Sequence, residues 1–282
     1  MSEQTQREKA EVFRKLHHGP QVLLLPNAWD AVSARIFEDA GFPAIATTSA
    51  GVAFAQGYPD GEFISRDEMI AQVAVIVRAV RIPVTADVEA GYGDSPDDAA
   101  NTAKAVIAAG AVGMNLEDTS QAGAGSANPL LDLARQLEKL QAVREVVKAA
   151  GVPLVLNART DVYLQSVGAA ETRYDETLHR LSAYRDAGAD CVFAPGIRDA
   201  ETIRRLVADL ACPLNILAGP GSLSVPELEQ LGVRRVSLGS GPIRATLGLL
   251  ARMACELRAE GTYSAMADAI PHAVVNQMMK RG

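Results

Sequence analysis

The sequence predicts an α/β protein built as a single (β/α)8 barrel of the TIM type, with extra helices at its C terminus. Three observations point there. Eight short apolar or β-branched runs alternate with longer stretches of helical spacing along the chain. Five of these runs are introduced by related phrases at a helix end: AGFPAI, VRIPVT, AAGVPLV, DAGADCV and QLGVRRV. In them Gly supplies the helix cap in most cases, and Pro blocks further helix. The length, 282 residues, suits the roughly 250 residues of a barrel plus an extension.

In chain order the strands fall near Val22–Leu25, Ala44–Thr48, Val84–Asp87, Gly113–Leu116, Leu154–Ala158, Cys191–Ala194, Leu214–Leu217 and Arg235–Leu238. Met69, Val73, Ile76 and Val80 recur at helical spacing after the second strand, as do Leu133, Leu137, Leu140 and Val147 after the fourth. The last barrel helix starts around Ile243, and the run from Thr262 to Gly282 adds one or two terminal helices. No low-complexity linker interrupts the pattern, so residues 1–282 read as one domain, with the barrel over about 20–258 and a helical extension over about 259–282. A terminal helix with nothing of its own to cover points to subunit contact, hence a homo-oligomer, dimer or tetramer, formed through the C-terminal helices.

Hydrophobic residues at 48% and charged residues at 22% exclude disorder. The net charge of -7 has the wrong sign for an electrostatic nucleic-acid binder and suits a small ligand or a metal cation. Cys191, Cys212 and Cys255 match no zinc, haem or redox spacing and read as reduced packing thiols. The N terminus is polar and no apolar run reaches the ~18 residues of a membrane span, so the expectation is a soluble, cytoplasmic protein.

The irregular segments all follow strands, where a barrel keeps its chemistry. Asp87, Glu89, Glu117 and Asp118 stand at the ends of the third and fourth strands, and Asp60 lies in the loop after the second. Carboxylates converging in one mouth repel unless a cation sits among them, and an all-oxygen, histidine-free set suits Mg2+ or Mn2+ rather than zinc. The competing reading is helix capping, assigned to Ser95 and Asp97 and left open for Asp118. Arg159 ends the fifth strand and either clamps a substrate carboxylate or phosphate, or pairs with Asp161 or Glu117. Ser49, Ala50 and Gly51 either let backbone N–H groups approach an anion or form a plain turn. The GSG at Gly239–Gly241 is a weak phosphate-loop signal. His17, His18, His179 and His272 fall away from strand ends and read as surface residues, which disfavours histidine general-base chemistry and a Ser-His-Asp triad.

Taken together, the successive segments LPNAWDAVSARIFEDAGFPAIATTSAG, GYPDGEFISRDEM, DVEAGYG, NLED, NARTD and GVRRVSLG resemble the motifs of the isocitrate lyase and phosphoenolpyruvate mutase superfamily. Its 2-methylisocitrate lyase-like and oxaloacetate decarboxylase-like members are the most similar, and the resemblance spans about Leu24 to Ser240. It implies a Mg2+-dependent barrel that binds a 2-oxo acid and makes or breaks a bond to the carbon beside its carbonyl. By that resemblance Asp87 is the principal metal ligand, and Asp60, Glu89 and Glu117 hold the metal's waters. Ser49 and Ala50 face the substrate carboxylate, Arg159 grips the substrate, and Asn215 lines the pocket. Arg159, Glu117 and Asp60 are the catalytic candidates. Glu89 stands where the family usually has Asp, and Ala50 where it usually has Gly.

Two departures bear on the chemistry. Residues 118–128 read DTSQAGAGSAN, without the Lys-Lys/Arg-Cys-Gly-His signature of the lyases and without the lysine and Asn-Ser pair of the mutases. Pro195 stands where many relatives have a polar or acidic pocket residue. Decarboxylation of a 2-oxo acid needs little beyond stabilisation of enolate charge, whereas cleaving isocitrate also needs a base and an acid. The expected activity is therefore a carbon-carbon lyase of the oxaloacetate decarboxylase kind. The alternatives are isocitrate or 2-methylisocitrate lyase, phosphonopyruvate-type C–P chemistry, and a non-catalytic 2-oxo acid binder. The segment from Asp118 to Pro129, poor in apolar anchors, reads as a lid over the mouth.

Overall fold

The computed structural model describes residues 5–120 and 129–280. The strands are β1 (Leu23–Leu25), β2 (Asn27–Ala28), β3 (Ile45–Thr47), β4 (Val84–Asp87), β5 (Gly113–Glu117), β6 (Val155–Arg159), β7 (Cys191–Phe193), β8 (Leu214–Leu217) and β9 (Arg235–Ser237). The helices are α1 (Gln6–Leu16), α2 (Ala31–Asp39), α3 (Ser49–Ala55), α4 (Arg66–Ala79), α5 (Pro96–Ala108), α6 (Leu133–Ala150), α7 (Arg173–Asp186), α8 (Ala200–Leu210), α9 (Val225–Gln230), α10 (Gly241–Ala259) and α11 (His272–Met279), with a 3-10 turn at Ser264–Met266.

All strand pairs are parallel, in the order β1-β9-β8-β7-β6-β5-β4-β3-β2. Nine segments occupy eight barrel positions, because β1 and β2 are one strand interrupted at Pro26, which has no N–H to donate. Leu23 registers with Arg235 on one side and Asn27 with Ala46 on the other, so this broken strand closes the barrel. The sequence reading anticipates the strands to within a residue or two, but ends the first at Leu25 and misses β2.

Several helices start where a local side chain caps them. Ser65 with Glu68, and Ser95 with Asp98, form reciprocal capping boxes ahead of α4 and α5. Ser95 is therefore the cap, whereas Asp97 sits in the first turn and favours the helix dipole instead. Gly151, at φ 67°, ends α6 in the left-handed conformation that the AAGVP phrase requires.

Side chains along the strands alternate. Ala86, Val88, Met114, Leu116, Leu156, Ala158, Val192, Ile216 and Val236 belong to the large apolar core between sheet and helices. Their neighbours Thr85, Asp87, Asn115, Glu117, Asn157, Arg159, Asn215, Arg235 and Ser237 therefore point into the barrel. The register sets them in layers: Glu117 lies level with Arg159 near the C-terminal ends of the strands, and Asn115 level with Asn157 and Asp87.

Helix α1 covers the opposite, N-terminal end. Phe13 is fully buried there, so close to Gly113 that a Cβ on that glycine would lie 2.7 Å from the ring. His17, read from sequence as a surface residue, is instead buried, stacked edge-on against Phe13. His18, His179 and His272 are exposed. Of the cysteines, Cys191 is buried, Cys212 half-buried and Cys255 exposed on α10. Helix α10 buries only Ile243 and leaves Leu247, Leu249, Leu250 and Leu257 exposed. Among the described residues no helix is long and apolar enough to cross a membrane.

Candidate active site

The strand-end loops enclose a cavity of about 400 Å3 whose wall includes Ser49, Asp60, Glu89, Glu117, Arg159 and Asp161. Asp87 lies against this set, its Oδ2 accepting from both the backbone N–H and the hydroxyl of Ser49 at 3.0 Å. The segment after β3, read from sequence as an open loop, is the short helix α3, and Thr48 caps it by accepting from Gly51 N. Ala50 is half-buried and outside the cavity wall. Gly51 is buried against Thr48, Trp29 and Ile243, so close packing rather than anion approach explains its lack of a side chain.

Arg159 carries both of the pairings considered from sequence. Its Nε and Nη2 form a bidentate contact with Asp161 at 2.5 and 2.8 Å, and Nη1 lies 2.7 Å from Glu117. Its guanidinium also stands 5.7 Å from the centre of the Phe193 ring. These contacts use three of its five N–H donors. Glu117 accepts in addition from Thr119 Oγ1 at 2.5 Å.

Asp118 caps no helix and is turned away from the mouth. It is fully buried behind the mouth, where Oδ2 accepts from Thr160, Tyr184 and Arg180 and Oδ1 accepts from the Asp161 N–H. It thereby holds the carboxylate that holds Arg159. Asn215, placed in the pocket wall by the family resemblance, is fully buried below the cavity and bonds to Ser237. The N–H groups of Leu238 and Gly239 both donate to Asn27 Oδ1, which ties the start of the GSG turn to the first strand where the barrel closes.

The electrostatics of the mouth are those of crowded acids. Burial, then the charges of Asp60 and Asp87, raise the Glu89 pKa to about 8. Asp60, at the exposed rim, is also raised, first by partial desolvation and then by Asp87. Burial raises Glu117, with Arg159 opposing it. The buried Glu89 Oε1 has no hydrogen-bond partner among the described residues. An orphaned carboxylate oxygen amid like charges is the environment a hard cation would relieve. No three Asp, Glu, His or Cys side chains among the described residues close tightly enough to encircle an ion. With an orphaned oxygen in an all-oxygen set, the mouth fits Mg2+ held by one or two direct ligands and water.

Several contributors carry no sequence signal of their own. Glu89 and Tyr92 are held at φ 52° and 62°, an uncommon backbone for such residues. Lys139, fully buried on α6, grips this loop by donating to the carbonyls of Ala90 and Gly93 at 2.6 and 2.8 Å. A lysine within an amphipathic helix reads as solvated, and nothing in its spacing betrays the clamp. Residues 121–128, the greater part of the expected lid, lie outside the described residues.

A parallel barrel that gathers carboxylates and a strand-end arginine at one mouth is laid out as an enzyme of this fold would be. Residues 13–258 match the phosphoenolpyruvate phosphomutase family, and the chain belongs to it. A Mycobacterium tuberculosis protein of undescribed function is 36% identical over 261 residues, 93% of each chain. An oxaloacetate decarboxylase from a Bradyrhizobium species is 32% identical over 248 residues, covering 86% of this chain and 82% of its own. The solved structure of oxaloacetate acetylhydrolase with its product oxalate superposes with a TM-score of 0.86 at 26% identity, over 97% of this chain and 94% of that one.

Proposed function

We propose that this protein is a Mg2+-dependent carbon-carbon lyase acting on a small 2-oxo or 2-hydroxy acid, with decarboxylation of an oxaloacetate-like substrate as its reaction. The observation that carries this reading is the cavity wall itself, in which Asp60, Glu89 and Glu117 converge beside Asp87 with the guanidinium of Arg159 among them. Two of the relatives above act on oxaloacetate, which supports the substrate class.

Asp87 would bind Mg2+ directly, and Asp60, Glu89 and Glu117 would hold its waters; Mn2+ suits the same donors. The bound cation supplies Lewis acidity that stabilises charge developing on the substrate's carbonyl and carboxylate oxygens. Ser49 aligns Asp87 through its N–H and hydroxyl. Arg159, braced by Asp161, offers its two remaining N–H donors to the substrate carboxylate. The loop after β5 has no Cys, Lys or His in DTSQAGAGSAN. This favours decarboxylation, in which carbon dioxide leaves and water can return the proton, over isocitrate cleavage, which needs a positioned acid and base.

Exposed leucines on α10 support assembly as a homo-oligomer through the C-terminal helices. Three unpaired cysteines, one of them exposed, suit the cytoplasm. The test is pyruvate and carbon dioxide release from a panel of 2-oxo and 2-hydroxy acids, with Mg2+ and with EDTA. Metal-dependent turnover of oxaloacetate is the expected result. Succinate release together with glyoxylate from isocitrate, or together with pyruvate from 2-methylisocitrate, with oxaloacetate inert, would replace this reading with that of a lyase of those acids.

A further inference from the structure

Beneath the acidic mouth the barrel interior is polar, whereas such barrels are ordinarily filled by branched apolar side chains. At its centre is Arg235 on β9, fully buried, with neither of its described hydrogen bonds going to a carboxylate. Nη1 faces His17 Nε2 at 3.4 Å, and Nη2 donates to Asn115 Oδ1 at 3.1 Å. A buried guanidinium needs a counter-charge. The carboxylate its network reaches is Asp87, whose Oδ1 accepts from Asn115 Nδ2 at 3.1 Å.

Each link in this line has a fixed direction. His17 Nδ1 lies 2.8 Å from the Phe13 carbonyl and so carries the proton, which turns the Nε2 lone pair toward Arg235. Burial, then the charge of Arg235, hold the imidazole pKa down at about 3, so it stays neutral. Asn115 Oδ1 accepts from Arg235 and also from Asn157 Nδ2 at 2.8 Å. A flipped amide would press its NH2 against two donors. The Asn115 N–H is therefore aimed at Asp87, and Ser49 grips the other carboxylate oxygen.

We propose that Arg235 is a positioning residue for metal binding: acting through Asn115 from beneath the mouth, it fixes the direction of the Asp87 carboxylate. The inference rests on the reading of Asp87 as the Mg2+ ligand. Neither Arg235 nor Asn115 lines the cavity, so neither is a catalytic residue. The relay also ties α1, which caps the far end of the barrel, to the carboxylate at the mouth.

The experiment measures Mn2+ binding to the full chain by electron paramagnetic resonance, alongside thermal unfolding in EDTA. It compares wild type, Arg235→Met, Arg235→Lys, Asn115→Ala and the double variant Arg235→Met/Asn115→Ala. Arg235→Met and Asn115→Ala should each weaken Mn2+ binding roughly 10- to 100-fold while melting cooperatively. The double variant should bind no worse than Asn115→Ala, because both changes cut one path. Arg235→Lys, which keeps a donor for Asn115 Oδ1 but loses the fork, should lose less than Arg235→Met. Folded variants that bind Mn2+ as wild type does would overturn the proposal and leave Arg235 a packing residue, and losses that multiply in the double variant would overturn the route through Asn115. If Arg235→Met fails to fold, Arg235→Lys and Asn115→Ala decide on the same readout. Absence of Mn2+ binding by wild type would remove the metal reading of the site, and this inference with it.

Discussion

Glu89 offers the sharpest test of a mouth built to hold a cation. Its carboxyl is buried, one oxygen lacks a partner, and its pKa stands at about 8 against an ordinary 4.5. Because the folded-state value is raised, the proton stabilises the metal-free fold. That contribution is fully present below about pH 4.5 and is lost as pH rises through 8. At about 1.4 kcal/mol per pH unit, the interval sets a ceiling near 5 kcal/mol, of which about 3 kcal/mol falls between pH 5 and 8. For a chain of this size that corresponds to a fall in Tm of about 5–10 °C. Thermal unfolding in EDTA at pH 5, 6, 7 and 8 should show this decline in wild type and lose most of it in Glu89→Gln, which has no proton to release. Saturating Mg2+, which favours the ionised carboxylate, should flatten the wild-type profile. Identical pH slopes for wild type and Glu89→Gln in EDTA would refute the reasoning, since every other titrating group is common to both.

Asp87→Ala should abolish calorimetrically detectable Mg2+ binding and turnover while preserving the circular dichroism spectrum; binding that survives would remove Asp87 as the direct ligand. Arg159→Lys keeps charge but loses the bidentate contact with Asp161, and should lower kcat/KM at least roughly tenfold; unchanged kinetics would confine Arg159 to bracing the mouth. Leu250→Glu, at an exposed leucine of α10, should shift the assembly toward monomer in analytical ultracentrifugation, and an unaltered sedimentation profile would place the subunit contact elsewhere.

Much of this architecture is local chemistry and could be read along the chain. Strand runs, Gly and Pro at helix ends, and Ser-x-x-Asp or Ser-x-x-Glu caps depend on neighbours a few residues apart, so the alternation of β and α emerges without tertiary information. The acids at strand ends are legible for the same reason, because a barrel gathers all its strand ends in one place. The interruption at Pro26 is visible as a residue, but its consequence, one strand bonding to two different neighbours, exists only once the barrel closes.

The assignment of partners was settled by the tertiary structure alone. Asp118 looks from sequence like any other acid beside Glu117, yet inward and outward directions alternate along a strand. Glu117 consequently meets Arg159 in the mouth, while Asp118 turns back to Tyr184 and Arg180 on α7. His17 and Arg235 lie 218 residues apart in the chain and meet because α1 folds under the barrel floor. Asn215 and the GSG turn, plausible ligand contacts by position, are tied by hydrogen bonds to Ser237 and Asn27. The sequence by itself determined which residue types reach the mouth, because strand periodicity and loop position are properties of short segments. Which of them remain free for a ligand depends on side chains brought from distant strands and helices, whose buried polar atoms must each find a partner once water is excluded.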